Sequence, residues 1–450
     1  MEYRNQTRSP LKVLLFPWLA YGHVTPYFEL AKKLSQKNFK IYFHSTPAIL
    51  DNIKRNNPVL DDNIELVELR LPSGNDLPPH NHTTKGLPKY LLGSLFQAFQ
   101  AARSTFPDIL DYCSPDLVIF DGFQPWVPDV ASSRNIPAVN YLIVGSSAFS
   151  YFYHTTYTYK GTSEPFPFPA IYSRDHERKS ISVPWESGFI FKGIEKSSEI
   201  VLVNSCEEIE GKYIGYLSEL SKKKMVPIGP LIHIVEGDDA KIMEWLDKKE
   251  ELSTLYVSFG SEYYLSPDDM EELAYGLEMS GVNFIWVIRF PEGEQRTINE
   301  ALPRGFLGRV KERGLMVENW APQAKILRHN NVGVFLSHCG WNSVLESVHF
   351  EVPIIALPMH LDQPAHARMA VELGTALEIQ RDENGKLNRE VVAKVIKNVL
   401  VEGNVKELRE KVKQVNKKIK MKGEKQIDDA VEVLTNLCIE YKQQRNDHFG

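Results

Sequence analysis

Val332-Gly-Val-Phe-Leu-Ser-His-Cys-Gly-Trp-Asn-Ser-Val-Leu-Glu346 opens as an apolar run, passes through small and polar residues, and resumes with apolar residues at helical spacing. Residues 332–336 therefore read as a strand buried on both faces, 337–342 as a turn, and Ser343 onward as a helix. A strand of that kind needs neighbours of its own kind. They lie at 12–16, 40–44, 64–69, 117–120, 138–143 and 200–203 in the first half, and at 255–259, 284–288, 315–317 and 354–357 in the second. Short apolar runs alternating with helical segments imply parallel sheets covered on both faces. The expected fold is α/β, with two Rossmann-like doubly wound domains facing a central cleft. Each sheet offers that cleft its strand ends and helix N-termini, so chemistry is expected just after strands.

Length and composition agree with two domains. A chain of 450 residues exceeds what one core usually serves, and 43% hydrophobic residues can fill two. The boundary is set after Val226-Pro-Ile-Gly-Pro230, where prolines and glycine precede the patternless, acidic Val235-Glu-Gly-Asp-Asp239. Residues 1–230 form the first domain, 231–240 the linker and 241–430 the second domain. Residues 431–450 form a C-terminal helix or tail that can pack back on the first domain. Residues 155–182, rich in Pro, Tyr, Phe and Ser, read as a long surface loop.

Several classes of function are disfavoured. A net charge of -6, with no basic stripe, offers nothing to nucleic acid or an anionic membrane. Cys113, Cys206, Cys339 and Cys438 lack metal or disulfide spacing and suit a reducing compartment. No leader pattern or long apolar span is seen, so a cytoplasmic protein without a membrane span, acting as a monomer, is expected. Neither domain carries G-x-G-x-x-G after its first strand, which argues against a nicotinamide-dependent oxidoreductase.

The turn at 337–342 suits an anion such as a diphosphate, because free backbone N–H groups and the helix dipole point there and His338, Asn342 and Ser343 add donors. Alone it reads more readily as a capped helix start, with Asn342 or Ser343 as N-cap and His338 as a core histidine. It does not stand alone. Trp320-Ala-Pro-Gln-Ala-Lys-Ile-Leu-Arg-His329, the stretch already quoted, and Val352-Pro-Ile-Ile-Ala-Leu-Pro-Met-His-Leu-Asp-Gln363 follow one another at fixed spacing. Together they resemble the signature box of the plant family 1 glycosyltransferases that use uridine diphosphate (UDP) sugars and have the GT-B fold. The resemblance implies that Trp320 stacks on uracil, that Gln323 and Glu346 meet the ribose, and that His338, Asn342 and Ser343 hold the phosphates. Asp362 and Gln363 would bind the sugar, with Ala321, Gly340 and Trp341 in the same pocket. By analogy, Ser261, in Tyr256-Val-Ser-Phe-Gly-Ser-Glu262, donates to the second phosphate. Glu351 departs from the pattern, standing where the family usually has glycine.

Sugar transfer to an alcohol needs a base, since a hydroxyl is a poor nucleophile until its proton has somewhere to go. The first strand ends in Phe16-Pro-Trp-Leu-Ala-Tyr-Gly-His23, and another ends in Leu117-Val-Ile-Phe-Asp121. The resemblance implies His23 as catalytic base and Asp121 as the carboxylate on its other nitrogen. No Asp-x-Asp pair is found and no metal or cofactor is expected; the helix N-terminus and His338 would have to neutralise the departing diphosphate. By the same resemblance, Gln363 leans toward UDP-glucose as donor, and Pro26 stands where relatives that use a sugar acid carry a cation, with xylose and rhamnose as competitors. Residues 16–21, 82–88, 123–126, 259–263 and 287–290 look like the subgroup that adds a sugar to a sugar already on a flavonoid, terpenoid or saponin. Trp18 and Trp126 are candidate sugar platforms. Transfer directly to an aglycone, or nucleotide-sugar binding without turnover, are the rival readings.

Overall fold

The structure, a computed structural model, describes residues 9–72, 77–158, 164–178, 188–234, 239–291, 294 and 296–449, with side chains as far as 444. The first eight residues, part of the linker (235–238) and parts of the 155–182 segment (159–163 and 179–182) lie outside the described residues.

Two parallel sheets form. The first contains β1 (Leu11–Phe16), β2 (Phe39–Ser45), β3 (Ile64–Glu68), β4 (Leu117–Phe120), β5 (Ala138–Leu142), β6 (Ile200–Val203) and β7 (Lys224–Pro227), in the order β3-β2-β1-β4-β5-β6-β7. The second contains β8 (Thr254–Ser258), β9 (Asn283–Ile288), β10 (Gly314–Glu318), β11 (Val332–Ser337), β12 (Ile354–Ala356) and β13 (Ala376–Glu378), in the order β10-β9-β8-β11-β12-β13. The chain winds outward from β1 in one direction, then returns to β4 and winds in the other. It repeats this about β8 and β11. A crevice opens where the direction reverses.

Edge strands β7 and β13 were not anticipated. The first carries Lys224 and Pro227 and the second is three residues long, features that blunt sheet edges and hide strand periodicity. Within 155–182, the helix Ser146–Thr158 runs further than expected. Residues 164–178 are more than surface: the guanidinium of Arg174 pairs with Glu378 at 2.5 Å, and Arg368 pairs with Glu177 at 2.5 Å. These bonds strap the first sheet's side of the molecule to the second.

Trp18 and Trp126 are core residues, 5% and 6% exposed. Trp18 stacks on Phe123 with ring centroids 5.0 Å apart, and Trp126 donates to Gln100 at 3.0 Å, so neither indole serves as an open sugar platform. Glu351 has φ 61°, the left-handed backbone that glycine takes most easily. The Asn416 side chain donates to its carboxylate at 2.9 Å, which anchors the strained turn.

The final helix, Lys425–Phe449, begins earlier than the sequence pattern indicates, after Gly423 closes the helix Val405–Lys422. Its Ile427, Ala430, Leu434 and Leu437 enter the core of the first sheet, and Lys442 pairs with Asp116 at 2.9 Å. No helix among the described residues is long and apolar enough to cross a membrane. Leu434 is fully buried, so Leu434→Ala should destabilise the protein by about 2–5 kcal/mol through transfer and cavity terms. Denaturant unfolding followed by tryptophan fluorescence measures this; an unchanged midpoint would mean that the helix merely rests on the surface.

Candidate active site

The crevice of the first sheet is set by the register of β1 and β4. Phe16 is opposite Phe120, so the chain leaves both strands side by side. After β1 it turns through Trp18-Leu-Ala and starts the helix Tyr21–Ser35, with His23 in the first turn. After β4 the next residue is Asp121, 2% exposed. His23 Nδ1 lies 2.7 Å from Asp121 Oδ2. The other carboxylate oxygen accepts from the Phe123 N–H at 3.2 Å. Gln124 ties the strand ends together, accepting from Asp121 N–H at 3.1 Å and donating to the Phe16 carbonyl at 3.1 Å.

An ionised carboxylate only accepts, so Nδ1 carries the imidazole proton and Nε2 keeps its lone pair for the cleft. Burial disfavours the imidazolium. The Asp121 carboxylate, with Glu262 and Asp362 further off, outweighs burial and raises the His23 pKa above its usual 6.5.

The second crevice repeats the plan. Ser337 is opposite Ser258, so β8 leads to Gly260 and Ser261 and β11 leads to His338. The following helix, Trp341–His349, starts two residues earlier than the sequence reading; its N-cap is Gly340 and no side chain caps it. Asn342 and Ser343 thus sit within the first turn. The capped-start alternative fails, and the first-turn N–H groups are available to an acceptor in the cleft.

His338 is clamped between glycines: a Cβ at Gly260 would lie 2.7 Å from its ring and one at Gly340 2.6 Å. Burial first, then the imidazoles of His360 and His366, push its pKa down to about 3. Without an anion beside it the ring is thus a neutral hydrogen-bonding group, and the adjoining helix end supplies positive potential.

Beside the turn, Gln323 donates to Glu346 at 2.6 Å and lies 3.4 Å from Ser343 Oγ. Burial pushes the Glu346 carboxyl up to about 7 despite that amide. Trp320 is 53% exposed, a flat face open to a ligand, and neighbouring Ala321 is buried. Ser261 is exposed after Gly260. Asp362 lies 3.3 Å from His366 Nδ1. The Gln363 amide oxygen accepts from the backbone of Met359 and His360, which leaves its NH2 group to donate. Trp341 departs from its expected role in one respect: its indole donates to the Asn204 carbonyl at 2.8 Å, so only its backbone remains for the pocket.

The two crevices face each other and are joined. Asn342 Nδ2 donates to the Gly22 carbonyl at 3.2 Å, Thr84 donates to Glu262 at 2.8 Å, and the Gly145 N–H donates to His366 Nε2 at 3.1 Å. The sequence reading missed Gln124, Thr84, Glu262 and His366. Glu262 follows Ser261 in an already quoted motif, but a backbone partner such as the Gly22 carbonyl leaves no compositional trace. A separate cavity of about 240 Å³, lined partly by Arg174, Tyr263 and Arg381, lies between the strap and the second domain.

Residues 231–431 match the family described as UDP-glucoronosyl and UDP-glucosyl transferase, and residues 9–233 match the N-terminal domain of glycosyltransferases. The chain is 47% identical over 443 residues to mogroside IIIx synthase of Siraitia grosvenorii, covering 94% of this chain and 97% of that one. It is 44% identical over 447 residues to beta-D-glucosyl crocetin beta-1,6-glucosyltransferase of Gardenia jasminoides, covering 96% and 100%. The fold is similar to a crystal structure of a Glycyrrhiza uralensis protein complexed with glycyrrhetinic acid 3-O-monoglucuronide, with TM-score 0.83, 24% identity and 98% of each chain covered.

The clamp on His338 is testable. Gly340→Ala places a methyl group against Nε2, so UDP affinity measured by calorimetry should fall about tenfold or more, equivalent to about 1.4 kcal/mol. Unchanged affinity would show that the ring does not border the nucleotide.

Proposed function

Since this chain belongs to the UDP-glucoronosyl and UDP-glucosyl transferase family, we propose that it transfers glucose from UDP-glucose, with inversion, to a sugar hydroxyl of a plant specialised-metabolite glycoside. The observation that carries the chemistry is the His23–Asp121 pair at 2.7 Å, facing an uncapped helix N-terminus across one cleft.

In this reading residues 1–230 hold the acceptor, 241–430 hold the donor and 231–240 join them. Trp320 takes the uracil. Gln323 and Glu346 take the ribose, where the vicinal hydroxyls favour the ionised carboxylate. The phosphates meet the first-turn N–H groups together with Ser261, His338, Asn342 and Ser343, while Asp362 and Gln363 engage sugar hydroxyls. Ala321, Gly340 and the Trp341 backbone complete the wall.

His23 Nε2 accepts the acceptor proton as its oxygen attacks the anomeric carbon. The bond to the diphosphate breaks, UDP leaves with the electron pair, and an α-linked donor becomes a β-glycoside. Asp121 stabilises the imidazolium so formed. Glucose is supported by Gln363, by the absence of a cation at Pro26, and by the glucosyl transfer that the Gardenia relative's name states. The same name, with a glucosylated acceptor, supports sugar-on-sugar transfer. Four buried cysteines without disulfide or metal spacing suit a reducing cytoplasm, and a site whose halves both come from one chain supports a working monomer.

His23→Ala should lower kcat by about 100- to 10,000-fold while calorimetry finds UDP still bound; equal turnover would remove the base assignment. A protonated His23 cannot accept, so activity falls as pH drops through its raised pKa, and the acidic limb of kcat/KM should centre above 6.5. Asp121→Asn should move that limb to lower pH and reduce the plateau. Paired assays with aglycones and their monoglucosides, using UDP-glucose, UDP-xylose and UDP-rhamnose, test the substrate. Better use of aglycones, or of another sugar, would overturn that part.

A further inference from the structure

We propose that Pro26 is a positioning residue that holds the diphosphate turn of the second domain in register with the base turn of the first. Residue 26 is four positions after Gly22 within the helix Tyr21–Ser35. In an uninterrupted α-helix its N–H would donate to the Gly22 carbonyl. Proline has no N–H, so that bond cannot form, and the Gly22 oxygen is left for an outside donor. The donor is Asn342 Nδ2 at 3.2 Å, reaching across from the first turn of the helix Trp341–His349.

The connection joins two sites that must act on the same substrate pair. The Gly22 carbonyl belongs to the peptide group that leads directly into His23. Asn342 is flanked by Trp341 and Ser343, whose backbone N–H groups share the uncapped helix end. A carboxamide carries two N–H donors: one meets Gly22, and the other is available to a diphosphate oxygen. A single planar group then spans from the leaving group to the base turn. Errors of about 1 Å in such placement cost about 100-fold in rate, so a fixed link here matters more for turnover than for binding. The inference rests on the reading that the turn 338–343 holds the diphosphate.

A purely structural proline would act otherwise. Proline inside a helix costs about 3 kcal/mol relative to alanine, so Pro26→Ala should leave the melting temperature unchanged or higher. The restored N–H would compete for the Gly22 oxygen. The expected result is a kcat about tenfold lower with UDP affinity within about twofold of wild type. Asn342→Ala should lower kcat by a similar factor and also weaken UDP binding. The double variant Pro26→Ala/Asn342→Ala should have a kcat no lower than Asn342→Ala alone, because both changes break one link.

Undiminished kcat in Pro26→Ala, additive losses in the double variant, or a lowered melting temperature that accounts for the loss would each overturn the proposal. Calorimetry of the wild-type chain with UDP separates this from failure of the underlying reading. If UDP binds and Gly340→Ala weakens it while the proline result fails, only the link is wrong; if UDP does not bind, the diphosphate turn itself is wrong.

Discussion

Two parallel sheets, each reversing its winding direction at one point, fix where this molecule can do chemistry. In the first sheet the reversal lies between β1 and β4, in the second between β8 and β11. Strand registers bring Phe16 level with Phe120 and Ser337 level with Ser258, so His23, Asp121, Ser261 and His338 all emerge within a few residues of strands that cannot slide. Moving any of them would require breaking a fully buried ladder. The precision of the site is thus inherited from the sheets, and the loops beyond are free to differ.

Electrostatics divides the cleft unevenly. Carboxylates surround His23 from both sides of the cleft, Asp121 in contact from its own domain and Glu262 and Asp362 further off from the other, and together they favour a positive imidazole over the penalty of burial. The opposite domain carries Glu262 and Asp362 toward the cleft, but its turn at 338–343 offers only uncharged side chains and a helix N-terminus. Positive charge is thus favoured at His23 and negative charge at the helix end. The raised carboxyl of Glu346 shows how thoroughly burial has desolvated its side of the turn.

Much of this was legible in the residues because apolar runs without alternation can only be doubly covered strands, and because polar residues just after such runs have few structural reasons to be there. Leu117-Val-Ile-Phe followed by Asp121 is such a case, and so is Val334-Phe-Leu followed by Ser337 and His338. What escaped had no local signature. The strands β7 and β13 are too short and too interrupted to show a period. Trp341 read as part of the turn between strand and helix, yet it opens the helix and its indole is spent on Asn204. Trp18 and Trp126 carry the right chemistry for a sugar but are enclosed by Phe96, Phe99, Phe106 and Phe123 from distant positions, and such enclosure belongs to the tertiary fold alone. The Gly22 carbonyl was invisible for a plainer reason: every residue has one.

The chain passes from one sheet's territory to the other twice, first between β7 and the helix Ala240–Asp247 and again at Gly423, whose φ of 55° ends the helix Val405–Lys422 before the last helix docks on the first core. A single tether would let two rigid bodies swivel about any axis. The two crossings leave the first domain side by side, since a Cβ at Gly229 would lie 3.3 Å from Gln426 Oε1, so they act together as one doubled strap along a single edge. A doubled strap at one edge resists pulling the halves apart there more than a single chain crossing would, and it leaves the opposite rim of the cleft the less tethered side.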